Sequence, residues 1–210
     1  MKKLPITLFA FILCTVCFAK DIILPDFKIV KKQGDITLYE RWIKRDDTEP
    51  VRELKAEFLV ECDIENVISL LKDQPAGIKW NKNASVYKIA NTLNTNEWIN
   101  YIKYNMPAIF DDQECCLLYK IPDLYAVNQN VCVVNFESTT SSLFPPQSAI
   151  KRITGVSGQW KMEQQANHFL KITYRISSDK SANIPRFISD PIVHSNLIKT
   201  MLNFKTMLEK

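Results

Sequence analysis

Histidine, glycine and long apolar runs are what this chain has least of. Two histidines in 210 residues, His168 and His194, are too few for a histidine-based metal centre. No Cys-x-x-Cys or His-Glu-x-x-His spacing supplies ligands in their place, and neither a metal nor a cofactor is expected. Glycine occurs four times; Gly155 and Gly158 fall in one apolar stretch, where they predict a bulge or bend in a strand. Beyond residue 19 no stretch is apolar for long enough to span a bilayer. Repeats and low-complexity tracts are missing, and the charge is nearly balanced. Without the first nineteen residues, which hold two lysines, it is (27 − 2) − 23 = +2, which gives no reason to expect a nucleic-acid partner.

What is present begins with MKKLPITLFAFILCTVCFA, a basic start at Lys2 and Lys3 followed by an apolar run from Leu4 to Phe18. This pattern predicts a signal peptide over residues 1–19, cleaved after Ala19, and one domain over 20–210 exported to a periplasm or the cell exterior. A lipid anchor on Cys14 or Cys17 is the rival, but Leu13 and Val16 stand where a small residue normally precedes a lipidated cysteine. Cys62, Cys115, Cys116 and Cys132 remain. An exported compartment permits disulfides, yet adjacent Cys115 and Cys116 would point to opposite faces of a strand, so buried thiols and a bridge both stay open.

Along the mature chain, Asp35–Ile43 and Val51–Glu61 are β-branched and aromatic runs around the charged turn KRDDTEP, and they predict a hairpin. Asp63 caps a short amphipathic helix carrying Ile64, Val67, Ile68 and Leu71, and QPAGIKWNKN reads as a turn or brief helix ending near Asn83. Six further strands follow, through ASVYKIANTL, EWINYIKYNM, QECCLLYKI, NVCVVNFESTT, AIKRITGVSGQWKMEQ and HFLKITYRIS. Hairpin-length connections favour one antiparallel meander of eight strands. Aromatics crowd these strands: Tyr39, Trp42, Trp98, Tyr101, Tyr104, Phe136, Trp160 and Tyr174. Large apolar residues on both faces of EWINYIKY hint at an internal space wider than a single packed layer.

Catalytic patterns are weak. Ser-x-x-Lys recurs at Ser69/Lys72, Ser85/Lys88 and Ser148/Lys151 without companion motifs, as chance would give. Asp111 and Asp112 could be a paired acid and base, since adjacent carboxylates raise one another's pKa, but they fit better as a solvated loop beside Pro107. His194 reads as the polar edge of the last helix. Asn83-Ala84-Ser85 is an isolated glycosylation triplet.

The order and spacing of GDITLYER, Trp80, EWINYIKYNMP with Asp111 and Asp112, ITGVSGQW and YRISSDKSANIPRFI resemble the StAR-related lipid-transfer (START) family of the helix-grip superfamily, in particular its small exported bacterial members. The likeness covers roughly Gly34 to Lys210. It departs where the family often carries Trp-Pro and then an Asn/Asp-Arg-Asp group: this chain has Met106-Pro107 and FDDQE, with no arginine. The resemblance implies an α+β helix-grip fold, a curved antiparallel sheet around a long C-terminal helix with two short helices after the first hairpin. It also implies a tunnel holding one lipid or sterol-like molecule, in a monomeric, non-enzymatic carrier or sensor that makes transient membrane contact. The alternative is a cyclase- or hydrolase-like enzyme using the same space. Trp98, Tyr101, Phe136 and Tyr174 are candidate apolar contacts in that tunnel, and Arg41, Lys103 and Arg175 candidate polar ones, because a buried headgroup must find a partner.

The closing stretch is amphipathic beyond Pro191: Val193, Leu197, Ile198, Met201, Leu202, Phe204, Met207 and Leu208 share one side. Ile184, Phe187 and Ile188 point elsewhere. Asp190 either caps a helix that starts at Pro191, or the helix continues through the proline with a kink. Phe187 and Ile188 are expected to form a movable lid over the tunnel, and Leu197 and Met201 to touch the ligand.

Overall fold

The computed structural model describes residues 26–43, 50–106, 111–122, 130–148, 150–178 and 186–210. The signal peptide, the turn after Ile43, Pro107 and Ile184 lie outside them. β1 (Lys28–Gln33), β2 (Ile36–Ile43) and β3 (Val51–Glu61) lead to α1 (Ile64–Lys72) and α2 (Gln74–Trp80). β4 (Ala84–Asn91), β5 (Glu97–Tyr104), β6 (Gln113–Lys120), β7 (Val131–Ser138), β8 (Lys151–Ile153), β9 (Val156–Gln164) and β10 (Phe169–Ser178) follow, and α3 (Arg186–Leu208) closes the chain.

The strands form one sheet in the order β1-β2-β3-β10-β9-β7-β6-β5-β4, with β8 alone pairing in parallel, to β6. This is the α+β helix-grip arrangement expected. Ten strands replace the eight expected, for two reasons. β1 adds an edge strand that its mostly polar residues concealed. The long segment read as one strand breaks at Gly155, whose φ of 74° only glycine adopts freely. Gly158 has a different role. A Cβ there would lie 2.4 Å from the Phe136 ring and 2.2 Å from the Arg175 carbonyl, so its bare backbone makes room for Phe136 to lie across β9.

Strand parity assigns the faces. Ile36 and Leu38 on β2, Ala56, Phe58 and Val60 on β3, Trp160 and Met162 on β9 and Leu170 and Ile172 on β10 are buried on the helix side. Burying an aliphatic or aromatic side chain of this size is worth about 1.5–3 kcal/mol, so this alternation sets the register. α2 docks through the same logic: Asp73 Oδ1 accepts from the Ala76 N–H at 2.9 Å, and Gly77 lets the helix settle on the Tyr87 ring. Trp80 then meets Tyr87, Trp160 and Phe204 edge-on at 5.6, 6.2 and 4.9 Å.

α3 runs unbroken through Pro191, so Phe187 and Ile188 are turns of that same helix rather than a separately aimed piece. Its inward stripe, Ile198, Met201 and Phe204, is fully enclosed. Among the described residues no helix is long and apolar enough to cross a membrane.

Candidate functional site

The helix-facing surface of the sheet carries a ladder of stacked rings. Trp98 on β5 pairs in register with Tyr119 on β6, which pairs with Phe136 on β7; the ring centroids are 5.1 and 5.2 Å apart. Phe136 reaches over Gly158 to stack on Tyr174 of β10 at 5.8 Å, and Trp160 tilts against Tyr174 at 4.4 Å. The first three rungs are buried, whereas Tyr174 keeps accessible surface. Tyr104, Ile153, Ile176, Val193 and Leu197 share that half-buried state while packing on the core. Burial nonetheless raises the Tyr174 and Tyr104 hydroxyls well above the ordinary tyrosine value of 10.0. These half-buried side chains gather around the ends of β5 and β10 and the first half of α3, and they are mostly apolar.

A ring of ion pairs stands beside these half-buried side chains. Glu40 and Arg52 share the parity of the buried residues on β2 and β3, and α3 presents Arg186, Asp190 and His194 at four-residue intervals, one stripe of a helix. Arg52 binds Glu40 at 2.6 Å and Asp190 at 3.0 Å, and Arg186 binds Glu40 at 2.7 Å and Asp190 at 2.9 Å. His194 Nε2 lies 2.8 Å from the Arg52 guanidinium and 3.1 Å from Glu40 Oε2, and Trp42 Nε1 donates to Glu40 at 3.1 Å. Burial pushes the Glu40 carboxyl up, but these hydrogen bonds and the Arg52 charge outweigh it and hold the pKa below 4.5. His194 therefore lies on the polar edge of the last helix, as its position predicted, and that edge is a mostly enclosed network of ion pairs.

Of the residues singled out in the sequence, Trp98, Phe136, Tyr174, Leu197 and Met201 come together on the helix side of the sheet. Phe187 and Ile188 sit exposed on the first turn of α3, at 80% and 40% of their surface. Arg41, Tyr101, Lys103 and Arg175 project from the opposite face, because one residue of offset along a strand reverses the side. Arg41 and Arg175 both bind Glu53 there, at 2.5 and 2.9 Å. Tyr101 donates to Glu114 at 2.6 Å and stacks on Phe144, while Arg152 and the Gln147 N–H also reach Glu114, at 2.8 and 3.0 Å. These partners overcome the burial of Glu114 and keep its carboxyl below 4.5; Tyr101, buried and facing that carboxylate, is pushed up to about 12.

Two hollows of about 490 and 480 Å³ adjoin on this outer face, sharing Gln159 and Arg175. Charged and amide side chains dominate their walls, unlike the apolar helix-facing side of the sheet. The thiols of Cys62, Cys115, Cys116 and Cys132 are free, with Cys115 pushed up to about 12 by its burial. Asp112 accepts from the Met106 N–H at 3.0 Å, so it braces its loop.

Glu40 and Arg52 escaped the sequence reading, and Asp190 was read only as a helix cap. For the two strand residues a signal existed: each is charged at a position whose neighbour two places away, Leu38 or Leu54, faces the core.

The START domain profile matches residues 27–210, and the chain belongs to that family. An uncharacterised protein of Pseudomonas aeruginosa is 17% identical over 192 residues, 91% of either chain. The STAR-related lipid transfer protein of Xanthomonas axonopodis superposes with a TM-score of 0.74 at 18% identity, over 88% of this chain and 99% of that one. The Zhui aromatase/cyclase of Streptomyces reaches a TM-score of 0.53 at 9% identity, over 76% of this chain and 94% of that one. These structural likenesses establish the fold.

Proposed function

We propose that the chain takes up one hydrophobic ligand, lipid or sterol-like, in a recess between the sheet and the first half of α3, and that it acts as a non-enzymatic carrier or sensor. The observation that carries this reading is the half-buried state of Tyr104, Tyr174, Val193 and Leu197, which brings apolar surface of the sheet and of the first half of α3 together without sealing it. Membership of the START family and the lipid-transfer name of the Xanthomonas protein support it. Phe187 and Ile188 form the lid, exposed on the first turn of the helix that bounds the recess and placed for transient contact with a membrane. The signal sequence directs the monomeric protein out of the cytoplasm.

Organic extraction of protein purified from its own host, followed by mass spectrometry, should release a lipid in near-stoichiometric amount. Failure to recover any lipid, together with failure to bind added lipid, would overturn the reading. The second reading, an enzyme using the same space, is favoured by the aromatase/cyclase likeness alone. It requires turnover of a bound ligand that is lost on changing a side chain bordering the recess.

A further inference from the structure

Building on the proposed ligand-binding interior, we infer that the ligand is an uncharged amphiphile with a hydroxyl or carbonyl group, held by the Tyr174 hydroxyl rather than by an ion pair. The charges beside the recess are already matched, with Asp190 Oδ1 meeting Arg52 as an ion pair rather than as an aligned hydrogen bond. Glu40, Arg52, Asp190 and Arg186 close a four-membered ring in which each carboxylate lies between two guanidiniums. A phosphate drawn in would find no unmatched arginine there, and a quaternary ammonium no unmatched carboxylate. An ion brought into such a wall loses hydration that nothing replaces, whereas a hydroxyl or carbonyl needs one hydrogen bond.

The neutral polar groups narrow the choice to one. Tyr104 accepts from Asn81 Nδ2 at 3.2 Å, and Tyr87 donates to the Leu71 carbonyl at 2.8 Å. Among the described residues the Asn100 amide makes no close hydrogen bond of its own; burial raises the Tyr87 and Tyr119 hydroxyls, and Asn100 lies near enough to offset part of that rise. Asn100, Trp98 and Trp160 are sealed against their neighbours, so no ligand atom reaches them without prising the core apart. Tyr174 differs on both counts. Its hydroxyl has no partner among the described residues, its side chain fronts the recess, and the stacks with Phe136 and Trp160 fix its ring. Burial keeps the hydroxyl protonated, so it can both donate and accept.

The test uses the mature protein stripped of bound lipid, with quenching of tryptophan emission as readout, since Trp160 touches Tyr174. The probes are dehydroergosterol and monooleoylglycerol, which are uncharged and bear hydroxyls, and lysophosphatidylcholine and lysophosphatidylglycerol, which carry charged headgroups. The uncharged pair is expected to bind at least about tenfold more tightly. Tyr174→Phe, which keeps the ring stack and should keep the melting temperature, is expected to weaken uncharged probes about fivefold to tenfold, the size of one net hydrogen bond. Binding of 1-octadecene, which has no polar group, should be unchanged by the same substitution. Lysophospholipids binding as tightly as the uncharged probes, or uncharged probes indifferent to Tyr174→Phe, would overturn the inference while leaving a ligand-binding interior in place. If no probe binds, that interior falls and the inference with it.

Discussion

From Ile198 to Phe204 the inward stripe of α3 lies sealed against Trp80 and Trp160, while from Arg186 to Leu197 the same helix is tethered by ion pairs and fronts half-buried side chains. One helix thus serves two ends of the molecule by two kinds of force. At the closed end, dispersion and burial act over many short contacts and fall off within an ångström. At the other end, ion pairs hold the helix through fewer, longer-ranged attractions that tolerate displacement. Pro191 sits in the second turn of that looser end and removes the hydrogen bond its N–H would have given the Phe187 carbonyl. The proposed ligand uptake would use this asymmetry: a rigid anchor that keeps the fold, and a neighbouring segment held by fewer contacts.

The comparison breaks most readily at the closed end. Phe204→Ala removes a ring lying 4.9 and 4.7 Å from Trp80 and Trp160 and should cost about 3–5 kcal/mol, read as a lowered midpoint of urea unfolding. A midpoint that barely moves would show that the anchor lies elsewhere. Gly158→Val drives a side chain into Phe136 and the Arg175 carbonyl, and an expected loss of about 1–3 kcal/mol should come with a changed near-ultraviolet dichroism as the Phe136–Tyr174 stack shifts.

Smaller effects sharpen the other end. Glu40→Gln takes one carboxylate from two arginines. Given the network's partial exposure, about 1–2 kcal/mol is expected, with amide exchange accelerating over residues 194–198 but not over 202–206. Acid should mimic it. Because Glu40 has a folded pKa below 4.5, its contribution is complete above that value and fades as pH falls through the folded pKa. Amide signals from the first half of α3 should therefore broaden at a higher pH than those from the second; simultaneous loss would argue against two independent halves. Last comes Phe187→Asp, which at 80% exposure should change stability by no more than about 0.5 kcal/mol while altering the rate of lipid uptake. An unchanged rate would remove the lid.

Much of the fold was legible because it rests on period and order. The alternation Ile36, Leu38 or Ala56, Phe58, Val60 requires a strand with one face covered, and Ile198, Met201 and Phe204 require a helix with one face covered. The split at Gly155 was half legible: the glycine marked an irregularity, but a parallel pairing of Lys151–Ile153 with β6 depends on residues far along the chain. Arg41 and Arg175 were mistaken for interior contacts because composition alone singled them out as cations in apolar strands. Counting in twos from Leu38 and Ile172 would have sent them to the outer face, and would have turned up Glu40 and Arg52 on the inner one.

By itself the sequence determined most of the elements, their order and the apolar stripe of the last helix, since these depend on neighbours within about seven residues, two turns of helix; the edge strand β1 and the separate β8 were not among them. It also determined that Tyr174 faces the same way as Leu170 and Ile172. Only the tertiary structure decided that α3 continues through Pro191, because its first turns are held by Glu40 and Arg52, roughly 140 residues earlier. Only the tertiary structure decided, too, which ring of the Trp98–Tyr119–Phe136–Tyr174 ladder is left with free surface. Whether a side chain is sealed or fronts a space depends on what arrives opposite it, and that is a property of the assembled walls rather than of any strand.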